Sequence, residues 1–229
     1  MKCTFSPLGD NAVRMRFGDA ISKETNVHIR KIALLLKKEQ IRGVIEWTPT
    51  YTSISVFYSS LIIDYKELCK ILKKLQMRTE TEALPPAREI IIPTCYGGDF
   101  GPDLENVANS NNLTMEDVIR IHSETIYLVY MLGFSPGFPY LGGMDKRIAT
   151  PRLATPRALV KAGSVGIADV QTGIYSIDSP GGWQIIGKTP LKLFDITGEN
   201  PFLLQAGDTL RFTSIPEDEY QSIERKEHE

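Results

Sequence analysis

YLVYMLGFSPGFPYLGG, residues 127–143, carries the two signals on which the fold turns. Tyr127, Val129 and Met131 alternate along its first half, the period-2 pattern of a strand. The second half, Gly133 to Gly143, holds four glycines, two prolines, two phenylalanines and one tyrosine in eleven residues. Glycine permits close backbone approach, proline holds the chain open, and aromatic rings left on a loop make an apolar binding wall. The competing reading is a barrel-closing loop whose rings are ordinary core. Two short helical patterns, 103–111 and 114–123, precede this stretch. Short strands are expected after it at 159–161, 165–168, 183–186, 191–196 and 209–213, with Gly or Pro in almost every gap. Many short strands with turn signals predict a closed barrel or sandwich, the helices acting as covers.

Glycine placement sets this region apart. Three of the 18 glycines (Gly9, Gly18, Gly43) precede residue 96, and the other 15 lie between Gly97 and Gly207. The first part reads as a small α/β domain. Val13, Met15 and Phe17 alternate as a strand, and Ile29, Ile32, Ala33 and Leu36 form a helical stripe after a Ser22 cap. Strands at 44–48 and 54–58 flank the turn Pro49-Thr50-Tyr51-Thr52. Asp64 and Glu67 resemble a capping box ahead of the stripe Tyr65, Leu68, Cys69 and Leu72. Residues 89–94 either close this βαββα(β), ferredoxin-like pattern or open the next domain. The expected organisation is α+β: a small domain at 1–80, a linker at 81–88 and a barrel domain at 89–229 with a charged C-terminal tail.

With 26 Lys plus Arg against 28 Asp plus Glu and 42% hydrophobic residues, the chain has the composition of a globular protein, not a disordered or fibrous one. A net charge of -2 argues against nucleic acid as a main partner. The longest apolar run, 126–132, is far below the ~20 residues that span a bilayer, so no membrane insertion is expected. Met1-Lys2 leads into Cys-Thr-Phe-Ser-Pro, not an apolar signal core. Three cysteines without a C-x-x-C pair fit a reducing cytoplasm, and three scattered histidines give no metal-ligand spacing.

Four features bear on chemistry. Residues 182–189, GWQIIGKT, match the phosphate-loop pattern G-x-x-x-x-G-K-[ST], but its apolar Trp183, Ile185 and Ile186 read as strand, and Pro190 onward as a second strand where the motif needs a helix. Residues 149–157, ATPRLATPR, repeat a Thr-Pro-Arg unit. Arg152 and Arg157 fall on opposite faces of a straight strand, and a turn between them is required for both to grip one anion. His122 is a candidate acid, base or oxyanion partner; as a lone histidine near a helix end it equally suits a terminal cation or a satisfied core group. DSPGG at 178–182 is a turn by composition, with Gly181 and Gly182 beside Trp183 as further site candidates.

YGGDFGPDL (96–104), IHSE (121–124), YLVYMLGFSPGFPYLGG (127–143), the paired Thr-Pro-Arg units and AGSVGIADVQTGIYSIDSPGGWQIIGKTP (162–190) together resemble the family of 5-oxoprolinase B subunits, also called allophanate hydrolase subunit 1 and the Kip inhibitor of sporulation sensor kinases. The resemblance spans residues 5–215 and implies a cyclophilin-like β-barrel behind the small α/β domain. It also implies an ATP-dependent enzyme that opens 5-oxo-L-proline to L-glutamate in company with 5-oxoprolinase subunits A and C. On that basis His122, Arg152 and Arg157 are the expected catalytic residues. Phe134, Pro136, Gly137, Phe138, Tyr140, Gln171, Thr172, Gly181, Gly182 and Trp183 are the expected substrate contacts. Alternatives are an inhibitory module for a sensor histidine kinase, anchored by Phe134, Phe138 and Tyr140, and a subunit acting on an allophanate-like ureido acid. Prolyl isomerase activity rests on fold analogy alone, and the chain has no Arg-Phe-Gln pattern. Two departures from the family pattern, Lys161 in place of proline and Lys188 in place of arginine, lie at the edge of the site.

Overall fold

The N-terminal sheet has at its edge a strand that sequence periodicity does not signal. The computed structural model describes residues 3–228. Met1-Lys2, on which the expectation of no export signal rests, and Glu229 lie outside them. The chain forms two compact units, one ending at Pro86 and the other beginning at Ala87. The first contains β1 (Thr4–Pro7), β2 (Ala12–Arg16), α1 (Lys23–Glu39), β3 (Val44–Pro49), β4 (Ser53–Tyr58) and α2 (Tyr65–Arg78). Its antiparallel sheet has the order β1-β2-β4-β3. The unit β2-α1-β3 therefore brackets β4, which is the split βαβ arrangement, and β1 fills the remaining edge. Residues 89–94 belong to the second unit.

Local chemistry accounts for the helices. The Ser22 side chain accepts from Thr25 N at 3.1 Å and caps α1; Asp64 accepts from Glu67 N at 2.8 Å and caps α2. Ile29, Ile32, Leu35 and Leu36 of α1 and Leu68, Cys69, Leu72 and Leu75 of α2 are buried with Val13, Met15, Ile54 and Val56 of the sheet.

The second unit contains β5 (Glu89–Tyr96), α3 (Leu104–Ser110), α4 (Met115–Glu124), β6 (Tyr127–Leu132), β7 (Pro139–Gly142), β8 (Arg157–Val160), β9 (Ser164–Ala168), β10 (Gln171–Ile174), β11 (Ser179–Gly181), β12 (Gln184–Lys188), β13 (Thr209–Ser214) and α5 (Glu217–His228). Seven strands make one sheet in the order β10-β9-β12-β5-β13-β6-β7. Its two edges, β10 and β7, lie against each other, so the sheet is a nearly closed barrel, with β8 and β11 as a separate ribbon. Only β13 and β5 run parallel. The protein is thus α+β with a barrel in its second unit. Val107, Val118, Tyr127, Val129, Ile167, Leu210 and Phe212 are among its fully buried core.

Three expectations need correction here. Residues 139–142, read as loop, pair with β6, and 179–181, read as turn, pair with β8. Residues 191–196, read as strand, instead form an irregular strap held by Asp195 N to Pro201 O at 2.9 Å and Leu203 N to Leu193 O at 3.1 Å. Prolines 190 and 201 bound the strap; Leu193 is buried and Phe194 stacks on Phe202, while Ile196 is exposed. Among the described residues no helix is long and apolar enough to cross a membrane.

Candidate functional site

The sharp turn after β6 starts the site. Ser135 N donates to Gly133 O at 2.8 Å across Phe134, whose φ is +68°. This three-residue closure puts a bulky residue in the left-handed region and holds its ring 70% exposed. Phe138, three positions after Ser135, turns inward and is buried, ringed edge-on by Phe134, Tyr140, Tyr175 and Trp183 at 5.4–5.7 Å between centroids. Both readings of the aromatic loop therefore hold in part, with Phe138 as core and Phe134 as wall.

These rings shape a cleft of about 300 Å³. Phe134, Phe138, Tyr140, Arg152, Gln171, Gly181, Gly182 and Trp183 line it, joined by Pro156, Tyr175 and Pro180, which sequence reasoning missed. Prolines in the Thr-Pro-Arg and DSPGG segments are visible signals for two of the three. Strand alternation decides what β10 contributes. A side chain at Gly173 would meet Phe138 and Trp183 at about 3.0 and 3.1 Å, so Gly173 shares the cleft side with Gln171. Thr172, between them, is buried on the other side. Pro136 and Gly137 do not reach the cleft; they line a shallower depression with Phe202, to which Phe134 also contributes.

Arg152 supplies the one cation of this lining, its guanidinium 5.9 Å above the Trp183 ring and 3.9 Å from the exposed Asp169 carboxylate. Arg157 is otherwise engaged. Its Nη2 donates to Asp103 Oδ1 at 2.7 Å, while Asp103 Oδ2 accepts from Ile185 N at 2.6 Å. The expected convergence of the two arginines on one anion is therefore replaced by a structural ion pair for Arg157, because the nearly buried Asp103 needs a cation partner.

His122 lies in the core, apart from the cleft lining. Val118, Ile121 and His122 fall at i, i+3 and i+4 and form the buried face of α4, a signal present in the sequence. Thr172 Oγ1 donates to Gly166 O at 3.0 Å, so it accepts from His122 Nε2 at 2.9 Å; Nδ1 then accepts from Tyr96 Oη at 2.7 Å. Burial pushes the imidazole down to about 3, so it is neutral near pH 7 with both nitrogens occupied. The expected acid–base role gives way to that of a core bracket.

Lys188 ends β12 and is followed by Thr189-Pro190 with no helix, so GWQIIGKT is a strand and not a phosphate loop. Its ammonium lies 5.8 Å from the Tyr220 ring centroid. If the chain serves an enzyme, as the resemblance implies, Lys188→Ala is expected to lower kcat/KM of that enzyme by well under the ~10²-fold typical of losing a key charge-stabilising contact. Abolished activity in a normally folded variant contradicts this.

Residues 3–204 match the family model described as carboxyltransferase domain, subdomain C and D. The chain is 46% identical to the 5-oxoprolinase B subunit of Bacillus subtilis over 230 residues, covering 96% of this chain and 95% of that protein. The chain belongs to the family of 5-oxoprolinase B subunits. The crystal structure of TTHA0988 matches with a TM-score of 0.80 and 35% identity over 90% of this chain, which spans 40% of that one. A urea amidolyase of Lachancea kluyveri is 26% identical over 95% of this chain, which corresponds to 14% of that protein. The family module thus occurs both as a chain of about this size and as one segment of longer chains.

Proposed function

We propose that this chain is the B subunit of an ATP-dependent 5-oxoprolinase, with the aromatic cleft holding 5-oxo-L-proline. The observation that carries this reading is the 46% identity to a 5-oxoprolinase B subunit over nearly the whole of both chains. The chemistry of the cleft agrees with it. Phe134, Phe138, Tyr140 and Trp183 offer walls for a small saturated ring, Arg152 a fork for its carboxylate, and Gln171 an amide in the same lining for the lactam to bond. When bound, ATP would transfer its γ-phosphoryl group to the lactam carbonyl oxygen with release of ADP; water would then add to the activated carbon, phosphate would leave, and the C–N bond would break with a proton passing to nitrogen to give glutamate. Arg152 fixes the substrate by its carboxylate, and the buried rings of Phe138 and Trp183 back the wall against which its ring carbons lie. On this reading the nucleotide site is composite and is completed by subunits A and C; GWQIIGKT, a strand here, does not contribute a phosphate loop to it.

The isolated chain is accordingly expected to consume neither ATP nor 5-oxoproline, and to show both activities when mixed with subunits A and C. Release of ADP and of glutamate are the measurements. Robust turnover by the single chain overturns the composite site, and no activity in any mixture overturns the function. The assembled enzyme should also be offered an allophanate-like ureido acid, which shares a carboxylate beside an amide.

A further inference from the structure

The net charge of -2 conceals two units of opposite sign. Through Pro86 there are 14 Lys plus Arg and 9 Asp plus Glu, a net of +5; from Ala87 there are 12 and 19, a net of -7. α1 and α2 each carry five of these basic residues, and on α2 Lys66, Lys70 and Lys74 follow at i, i+4 and i+8 and are exposed along one face. Among the described residues none of the three has an ion-pair partner. Nearby carboxylates are used elsewhere: Glu39 pairs with Arg78 and Glu82 with Lys38, leaving Glu67 as the one acid on the helix. Like charges at i, i+4 spacing destabilise a helix by about 0.2–0.5 kcal/mol per pair, so this stripe costs the free protein stability.

The ends of the stripe are apolar. Leu61 is 97% and Ile62 53% exposed just before α2, and Met77 is 77% exposed near its end. Exposed aliphatic side chains gain from burial against another protein and the lysines from acidic groups opposite them, whereas faces that bind nucleic-acid phosphates favour arginine forks and stacking aromatics, which this face does not offer. TTHA0988 and the urea amidolyase carry a segment similar to this chain within longer chains, so in those proteins it is covalently joined to further protein.

We propose that the exposed face of α2, from Leu61 to Met77, docks an acidic surface of a companion subunit, an inference that rests on the function proposed above. Subunits A and C are the probe, titrated onto this chain in a biosensor at about 50 and about 500 mM NaCl, across which exposed charges become screened. Wild-type affinity is expected to fall at least ~10-fold between the two salts, and the triple variant Lys66→Glu, Lys70→Glu, Lys74→Glu to lose ~10²-fold or more at low salt. The triple Gln variant, which removes charge without reversing it, should lie between. The thermal midpoint of each variant alone should be unchanged or higher, which separates lost docking from lost folding. Wild-type affinity in both triple variants overturns the docking face and leaves the proposed function standing. Failure of the wild-type chain to bind either subunit overturns both. Binding to phosphatidylserine vesicles that the variants lose, with subunit affinity intact, assigns the face to a membrane surface and overturns the proposal.

Discussion

Arg152→Ala lowers kcat/KM of the assembled enzyme by about 10²-fold or more while the protein stays folded; this is the expected result if the aromatic cleft binds the substrate carboxylate. Arg152 is the one cation among the residues lining the cleft. Its side chain is 59% exposed and its nearest carboxylate, Asp169, stands 3.9 Å away and is itself exposed, so removal orphans no buried charge. The thermal midpoint should therefore move little, as for other exposed positions, where changes stay within about 0.5 kcal/mol. Arg152→Lys should recover only part of the activity, because an ammonium cannot make the two parallel contacts of a guanidinium. The comparison requires saturating companion subunits, since weakened assembly mimics lost chemistry. Unchanged kcat/KM in a fully assembled Arg152→Ala enzyme places the substrate elsewhere.

His122→Ala has the opposite signature. Its ring is fully buried against Phe212 and Tyr127, at 4.3 and 5.5 Å between centroids, and brackets Tyr96 to Thr172. Truncation leaves a ring-sized cavity and removes a partner from two hydroxyls, which together cost on the order of 3–5 kcal/mol. Enzyme that remains folded at low temperature should keep kcat/KM within a few-fold of wild type, because the ring does not line the cleft. Chemical denaturation and activity on the same sample separate the two effects; a large loss of kcat/KM with unchanged stability restores His122 to catalysis. Acid supplies a second check. The unfolded imidazole titrates near 6.5, and burial holds the folded one down to about 3. Between these values the unfolded chain binds a proton that the native one does not, so this contribution to stability is present above pH 6.5 and lost as pH falls toward 3. His122→Gln, which does not titrate, should flatten that part of the stability profile.

The same residue illustrates what the sequence makes legible. The chemistry of His122 invites a catalytic role, whereas its position on the Val118–Ile121 stripe already places it inside. Arg157 pairs with Arg152 by the repeat of the Thr-Pro-Arg unit, but its partner in the fold is Asp103, 54 residues earlier and invisible to local spacing. The aromatic loop is legible because so many rings and glycines in eleven residues have few bland uses. Elements with strong periodicity are found where expected: α1 and α2 start directly after Ser22 and Asp64 and run beyond their apolar stripes to Glu39 and Arg78, and β6 covers the alternating Tyr127, Val129 and Met131. Strands without it are not so legible. β1 is the four residues TFSP, ending in a proline that an edge strand tolerates, and β10 is QTGI, which owes its place to pairing with β9 and not to its own propensity. The strap at 191–196 is the opposite case, since its β-like composition buries Leu193 and stacks Phe194 without any strand being formed.

The parallel pairing of β5 with β13 has a consequence for how the protein is made. β13 sits between β5 and β6, so the middle of the barrel is supplied by residues 209–214, more than a hundred positions after β5. During synthesis every element of the first unit has left the ribosome soon after residue 86 is added, and that unit can condense while the second is still being translated. The barrel has no such option. Until residue 214 emerges, β5 and β6 each display an unpaired edge and the apolar face carrying Ile92, Tyr127 and Val129 is uncovered, a long-range closure of the kind that folds slowly and invites aggregation. A chain truncated before β13 is therefore expected to leave that edge open and to aggregate, whereas one that includes residues 209–214 contains every strand of the barrel.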